Sequence, residues 1–285
     1  MVKFLIRENS IKPITGSFAS IGVQTVHLTD EDLERLHPSS AGSDPEIPQG
    51  DQITRHSNGR ISDRDLLTNL FKIDYSAIDR SSYEGANVIL DLNLPIPESY
   101  HNKFDFIYSG GSLDNVFDPK TLLENCALLL KPGGRFLSYD VSQGVVGAYL
   151  RITPEWLYSW FAVNDWSDCQ VYALHQERQG QSRFSYETSL YTWTPRFQRD
   201  SNYNYFESSR SHSGIQYVVS LAEKGGRSTS DKIPVQMQYL DENAVDWTAK
   251  ELAYEQSPRR LHPKGSKKKR PIFDSTHYEF IEENF

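Results

Sequence analysis

At 285 residues, 38% of them hydrophobic and 24% charged, the chain is long enough to bury a substantial core and has the composition of a globular protein. A formal net charge of -8 argues against broad affinity for nucleic acid, whose phosphates attract basic surfaces. The two cysteines, Cys126 and Cys169, are too few for a disulfide framework, and with no CxxC, Cys/His cluster or HExxH no metal site is expected. The apolar run in MVKFLIRENS is too short for a signal peptide, and no stretch approaches the roughly 20 apolar residues of a spanning helix. A soluble protein in the reducing cytoplasm, with no membrane span, is the expectation.

The first strand is expected at Phe18 to Gly22. Thr29 before DEDLERL supplies a cap, early acids and leucines three apart, the pattern of a short helix. Residues 37–60 are rich in Pro, Gly, Ser and Asp and read as a long surface loop. Ser62 caps a second helix, DRDLLTNLF, before strands at Tyr75 to Asp79 and Asn87 to Leu92. The second of these, NVILDL, is almost wholly apolar, as a strand buried on both faces requires.

Phe104 to Tyr108 is the next strand, followed by the turn SGGS. In Pro119 to Leu130, Leu122, Leu123, Cys126 and Leu129 fall on one helical stripe, and Cys126 reads there as a small buried hydrophobe. Lys131-Pro132-Gly133-Gly134 ends that helix, and a strand follows at Arg135 to Tyr139. Thr153-Pro154-Glu155 opens a helix with a capping hydroxyl and proline at the first helical position. Strands at Cys169 to Leu174 and Ile215 to Leu221 complete the series. Strands alternating with helices imply an α/β fold, a mostly parallel sheet covered on both faces. Residues 1–226 form the expected domain, with a polar, aromatic insertion at 176–213 and a polar C-terminal extension at 227–285.

The segment KFDFIYSGGSLDNVFDP…LLENCALLLKPGGRF resembles the fourth and fifth strands of class I, S-adenosylmethionine-dependent methyltransferases. Upstream, AIDRSSYEGANVILDLNLPIP and FASIGVQTVHL are similar to the first three strands of a methyltransferase-domain group associated with sugar and surface-polysaccharide metabolism. The resemblance covers about residues 14–225 and implies the Rossmann-like class I fold with a seven-stranded sheet. It also implies S-adenosylmethionine as cofactor and methyl transfer to oxygen or nitrogen of a small, saccharide-related acceptor.

Ligands of open α/β sheets bind beyond the carboxyl ends of the strands, which gives each implied site residue a task. Asp79 accepts from the ribose hydroxyls, Asp91 accepts from the adenine amino group, and the Leu92 backbone N–H faces a ring nitrogen. Gly22 lets the first turn approach the cofactor without a Cβ. Ser109 lies beside the methionine portion. Each assignment has a structural rival: turn capping for Asp79, an Asx turn with Asn93 for Asp91, and plain turn geometry for Gly22 and for Ser109 with its two glycines.

Two positions depart from the family pattern. The usual acid-x-Gly-x-Gly turn reads here Ser20-Ile21-Gly22-Val23-Gln24, and serine lacks the charge that favours the methionine ammonium. Where the resembling group reads Gly-x-x-Glu-His-Val, this chain has Asp114-Asn115-Val116, so Asp114 is the candidate catalytic carboxylate and Asn115 cannot act as a base. Capping of the following helix is the rival for Asp114. These departures leave a second reading open, a catalytically inactive methyltransferase-like binding or assembly protein.

Two further segments carry weaker signals. The basic run RRLHPKGSKKKRP reads as a solvated tail. The aromatic cluster Tyr186, Tyr191, Trp193, Phe197, Tyr203, Tyr205 and Phe206 suits either a cap over the site or the packing of an inserted hairpin.

Overall fold

A computed structural model of the chain describes residues 1–26, 61–145, 147–178, 186–196, 214–236, 245–263 and 277–283. The helix expected after Thr29, the loop at 37–60, the aromatics Phe197, Tyr203, Tyr205 and Phe206, and the KGSKKKRP run lie outside the described residues.

In chain order the elements are α1 (Val2–Ile11), β1 (Thr15–Ile21), β2 (Thr25–Val26), β3 (Ile61–Ser62), α2 (Asp63–Leu70), β4 (Lys72–Asp79), β5 (Val88–Ile89) and β6 (Phe104–Gly110). Then follow α3 (Pro119–Leu129), β7 (Leu130–Gln143), α4 (Pro154–Val163), β8 (Asp168–Arg178), β9 (Tyr186–Trp193), β10 (Ile215–Glu223), α5 (Trp247–Gln256) and β11 (Tyr278–Glu283). A nine-stranded sheet runs β11-β9-β8-β10-β7-β6-β1-β4-β5, and β2 with β3 forms a small separate ribbon.

All seven expected strands occur, as β1, β4, β5, β6, β7, β8 and β10. β5, β4, β1, β6 and β7 are mutually parallel. β10 is antiparallel to both β7 and β8, so β8 regains the common direction and only β10 of the seven opposes it. The sheet is two strands wider than expected. β9 lies within the stretch read as an insertion and pairs with β8, and β11 lies within the stretch read as a polar extension and pairs with β9. Its pattern YEFIEE is short and charged, a poor strand signal in isolation; pairing with Tyr191 and Thr192 of β9 and burial of Ile281 decide it.

The two faces carry separate cores. On one, Phe18, Phe106 and Tyr108 pack with Phe4 and Leu5 of α1 and Leu66, Leu67 and Leu70 of α2. On the other, Ala19, Ile21 and Ile107 pack with Leu122, Leu123, Cys126 and Leu129 of α3, Leu157 and Trp160 of α4, and Tyr254 of α5. Successive residues of β1 thus enter opposite cores, as a central strand buried on both faces must.

The expected caps are present. The Ser62 hydroxyl accepts from Arg64 N–H at 3.4 Å, and the Thr153 hydroxyl accepts from Trp156 N–H at 3.3 Å. The cap of α3 is Asp118, whose carboxylate accepts from Thr121 N–H at 3.1 Å, and not Asp114. At the other end of α3, Lys224 Nζ donates to Ala127 O at 2.8 Å and to Leu130 O at 2.7 Å, a cation on the free carbonyls of a helix terminus.

One buried charge cluster ties both chain ends to the sheet. Glu8 of α1 accepts from Arg135 of β7 at 2.6 Å and from Arg259 at 2.9 and 3.0 Å. Arg259 also reaches Asp168 at 2.6 Å and Glu223 at 2.7 Å. Each charge here is tolerable only because its partners are in place, since an unpaired buried charge is strongly disfavoured. Arg259→Ala leaves Glu8 short of a cation, and equilibrium denaturation should show a loss of roughly 3–5 kcal/mol. A loss within the roughly 0–1 kcal/mol typical of surface pairs would show that the cluster does not anchor the fold.

Candidate functional site

β1, β4, β5 and β6 end together at one edge of the sheet, and the turns that follow form the candidate site. The exit of β1 is held by Gly22 N–H donating to Ile78 O at 2.7 Å, across to β4. Gly22 has φ +72°, and a Cβ built there lies 3.8 Å from Asp79 Oδ2 and 3.3 Å from Gln24 Nε2. The first turn therefore approaches the Asp79 carboxylate closely, and the conformation favours glycine. Asp79 Oδ1 accepts from Ser81 N–H at 3.4 Å, a long bond, while Oδ2 faces the Gly22 turn.

Asp91 follows β5, whose Ile89 pairs with Asp79. Its Oδ1 accepts from Asn93 N–H at 3.0 Å and from the Asn93 side-chain amide at 3.1 Å, the Asx turn expected as its rival role. Oδ2 lies 3.4 Å from Arg80 Nε, and hydrogen bonding to Asn93 holds the carboxyl below the usual range. Arg80, 81% exposed in its side chain, thus spans from the Asp79 turn to the Asp91 turn. The Leu92 side chain is buried, and its carbonyl accepts from Asn125 at 3.0 Å. Ser109, at the end of β6, is fully buried, and its Oγ has no hydrogen-bond partner among the described residues. A buried hydroxyl without a partner is uncommon in a folded chain and marks a position suited to a polar ligand group.

Ser20 is placed differently. Its side chain lies on the α2 face of the sheet, fully buried, and its hydroxyl donates to Asp63 Oδ2 at 2.9 Å. Tyr75 OH donates to the other Asp63 oxygen at 2.8 Å, and the Gln24 backbone adds a further hydrogen bond to this carboxyl. Burial pushes the Asp63 carboxyl up to about 6, opposed by these donors. A carboxylate is thus present beneath the glycine turn after all, delivered by the first residue of α2 in place of β1. The sequence singled out no role for Asp63 within DRDLLTNLF, because nothing local shows that α2 packs against the end of β1.

Gln24, at the position of the second glycine, donates from Nε2 to Ile21 O at 2.5 Å. Its Oε1 would lie 2.6 Å from a Cβ at residue 110, so the Gln24 side chain packs closely on Gly110 where the β1 and β6 turns meet. Asn115 donates to Gly111 O and serves the turn. Asp114 is buried, and Oδ2 accepts from Val141 N–H at 2.9 Å. Of the described aromatics in the cluster, Tyr191 and Trp193 are buried, Trp193 against Tyr158 and Tyr254, so these two pack the sheet. No group of three or more metal-ligating side chains occurs among the described residues.

Residues 68–138 match the family model described as Methyltransferase domain. The strand order and the two helical layers are those of the class I methyltransferase fold, which this chain carries. No curated protein matches the chain. Similar solved structures include the phosphoethanolamine N-methyltransferase 2 of Haemonchus contortus in complex with S-adenosyl-L-methionine, at 12% identity and TM-score 0.37, covering 79% of this chain and 52% of that one. A second is an S-adenosylmethionine-dependent methyltransferase from Mesorhizobium loti, at 16% identity and TM-score 0.27, covering 48% and 51%. A third is the CMeT domain of the citrinin polyketide synthase, at 10% identity and TM-score 0.35, covering 57% and 42%. The chain spans about half the length of these structures or less.

Two expected outcomes test the Ser20–Asp63 contact. Ser20→Ala removes one donor to a buried carboxylate and should cost about 1–3 kcal/mol at a pH well above 6, where Asp63 is ionised. Because that donor favours the charged form, the cost should shrink as pH falls through about 6 toward 4. Denaturation midpoints of both proteins at two pH values check this. An identical cost at both would separate Ser20 from the Asp63 charge.

Proposed function

We propose that this chain is an S-adenosylmethionine-dependent methyltransferase acting on an oxygen or nitrogen of a small acceptor. The observation that carries the reading is the convergence of the Gly22 turn on the Asp79 carboxylate at the carboxyl edge of the parallel strands. The chemistry of the donor set fits the cofactor. Asp79 offers a carboxylate oxygen to a ribose diol, and Gly22 leaves the space that a Cβ would take. Asp91 lies one strand further along, its Oδ2 paired with the exposed Arg80, which a ligand can displace. Ser109 Oγ is the unpartnered buried hydroxyl toward the methionine portion.

When bound, the cofactor supplies an electrophilic methyl on a sulfonium, which is its own leaving group. The chain's contribution is grip and alignment of the acceptor, a mechanism in which positioning accounts for much of the rate. Asn115 is engaged with Gly111 and supplies no base. Asp114 is buried with one oxygen on Val141 N–H, which suits a positioning role better than contact with an acceptor. The saccharide-related character of the acceptor rests on the YEGA and DLN-x-P-x-P segments alone. The alternative, an inactive binding or assembly module on the same fold, draws its support from Asn115.

Calorimetry with S-adenosylmethionine and S-adenosylhomocysteine is the direct test. Binding should be detectable, and Asp79→Ala should weaken it by roughly 10- to 100-fold, the loss of a charge-assisted hydrogen bond of about 1.5–3 kcal/mol. No heat at millimolar ligand from folded protein retires the cofactor reading. Unchanged affinity in the variant removes Asp79 from the site.

A further inference from the structure

Behind the turn that follows β6 lie two buried carboxyl groups whose hydrogen bonds interlock. Asp114, in that turn, accepts through Oδ2 from Val141 N–H at 2.9 Å. Asp140, on β7, accepts through Oδ1 from Leu113 N–H at 3.0 Å. Each carboxylate thus binds the backbone next to the other, a reciprocal bracket that joins the turn to β7. Their remaining oxygens, Asp114 Oδ1 and Asp140 Oδ2, are both buried and have no partner at normal hydrogen-bond distance among the described residues, while the Ser138 hydroxyl interacts with the Asp140 carboxyl. Two neighbouring buried carboxyls, each with an oxygen left over, are strongly disfavoured as a doubly charged pair, and a proton retained by one relieves the repulsion.

We propose that Asp114 and Asp140 share one proton, and that this carboxylic acid–carboxylate hydrogen bond holds the 111–118 turn in place against β7. Among the described residues, no cation appears in the contacts around the pair. The neighbours that sense Asp140 are Ser138 on its own strand, Tyr108 of β6 and Cys126 of α3; Tyr217 of β10 senses Asp114. None of these is positively charged. Burial, with the Asp114 charge adding to it, pushes the Asp140 carboxyl up to about 8, and burial also raises Asp114.

The pair acts on the candidate site through backbone. Gly111 N–H donates to Tyr139 O at 2.6 Å, one residue before Asp140, and a Cβ at Gly111 would lie 3.7 Å from Asp114 Oδ1. The Asp114 carbonyl accepts from Tyr149 N–H at 2.8 Å and from Leu150 N–H at 3.2 Å, so the 149–152 segment hangs on the same residue. Ser109 and Gly110, at the meeting of the β1 and β6 turns, directly precede this turn. Asp114 and Asp140 are therefore positioning residues. Losing the shared proton places two negative charges in one buried space and pushes the turn away from β7. The consequence for cofactor affinity rests on the methyltransferase reading; the shared proton itself does not.

The sign of the pH dependence follows from the raised Asp140 carboxyl. Below about pH 4 both folded and unfolded chains hold its proton; between about 4 and 8 only the folded chain does, so stability falls with pH across that window and levels off above it. Asp140→Asn keeps an acceptor for Leu113 N–H and supplies a permanent donor to Asp114. Its thermal midpoint should stand above that of the wild type by a margin that widens from pH 4 to 8 and then stays constant. Equal margins at all pH values overturn the proposal. Carbon-detected NMR of the wild-type chain, labelled at aspartate carboxyl carbons, needs no variant: one coupled pair should titrate near 8, and two carboxyls at that position titrating near 4 overturn it. Affinity for S-adenosylhomocysteine should fall at least about fivefold from pH 7 to 9 in the wild type and stay flat in Asp140→Asn, the size of coupling that positioning through a turn commonly gives. A parallel fall in both proteins overturns the link to the site. Absence of any binding would defeat the cofactor reading and leave the titration result standing.

Discussion

The arrangement of the candidate site depends on β1 lying between two parallel neighbours and being buried on both faces. Phe18 and Ala19 enter opposite cores, and the strand pairs in register with β4 on one side and β6 on the other. A parallel strand cannot turn back on itself, so its chain must leave through the carboxyl edge, as β4, β5 and β6 do. The Gly22 N–H bond to Ile78 O makes that exit tight, and only a positive φ allows it. Asp79, Asp91, Ser109 and Gly110 lie at or just beyond this edge because their strands end there.

The same burial creates three kinds of acid in the molecule, and the surroundings decide what each becomes. Glu8 is neutralised by Arg135 and Arg259, and its role is to fasten α1 and the 259–261 segment to the sheet. Among the described residues Asp63 has no cation as a hydrogen-bond partner, but hydroxyls from Ser20 and Tyr75 and the Gln24 backbone stabilise its charge. Asp114 and Asp140 each accept a backbone N–H across the bracket and keep a buried oxygen with no close partner among the described residues, the condition under which a proton is retained. Asp63 and the Asp114–Asp140 pair sit behind different turns of the candidate site, so its geometry is supported from below at both the β1 and the β6 exits.

Much of the fold was legible along the chain because the relevant signals are local. Ser62, Thr153 and the leucine stripe of α3 need only neighbours within a few residues to act, and the seven strands are short apolar runs between breakers. Their ends were less legible: β7 begins at Leu130, through the KPGG turn, because Phe104 of β6 pairs with Leu130. α1 drew no expectation, since VKFLIRENSI has neither an acidic first turn nor a basic last one. Packing of Phe4 and Leu5 against the sheet stabilises it.

By itself the sequence determined the class of fold, the order of seven of its strands and of α2, α3 and α4, and which carboxylates and glycines end those strands, since these follow from spacing, capping and apolar runs. Only the tertiary structure decided that Asp91 is closed into a turn by Asn93, that Ser20 faces Asp63 rather than the site, that Asp114 is bracketed with Asp140, and that β9 and β11 extend the sheet. Each of these joins residues far apart in the chain or chooses between two uses of one side chain. Neither choice is encoded in local spacing; both are settled by which groups burial brings into contact and by the cost of leaving any of them unpaired.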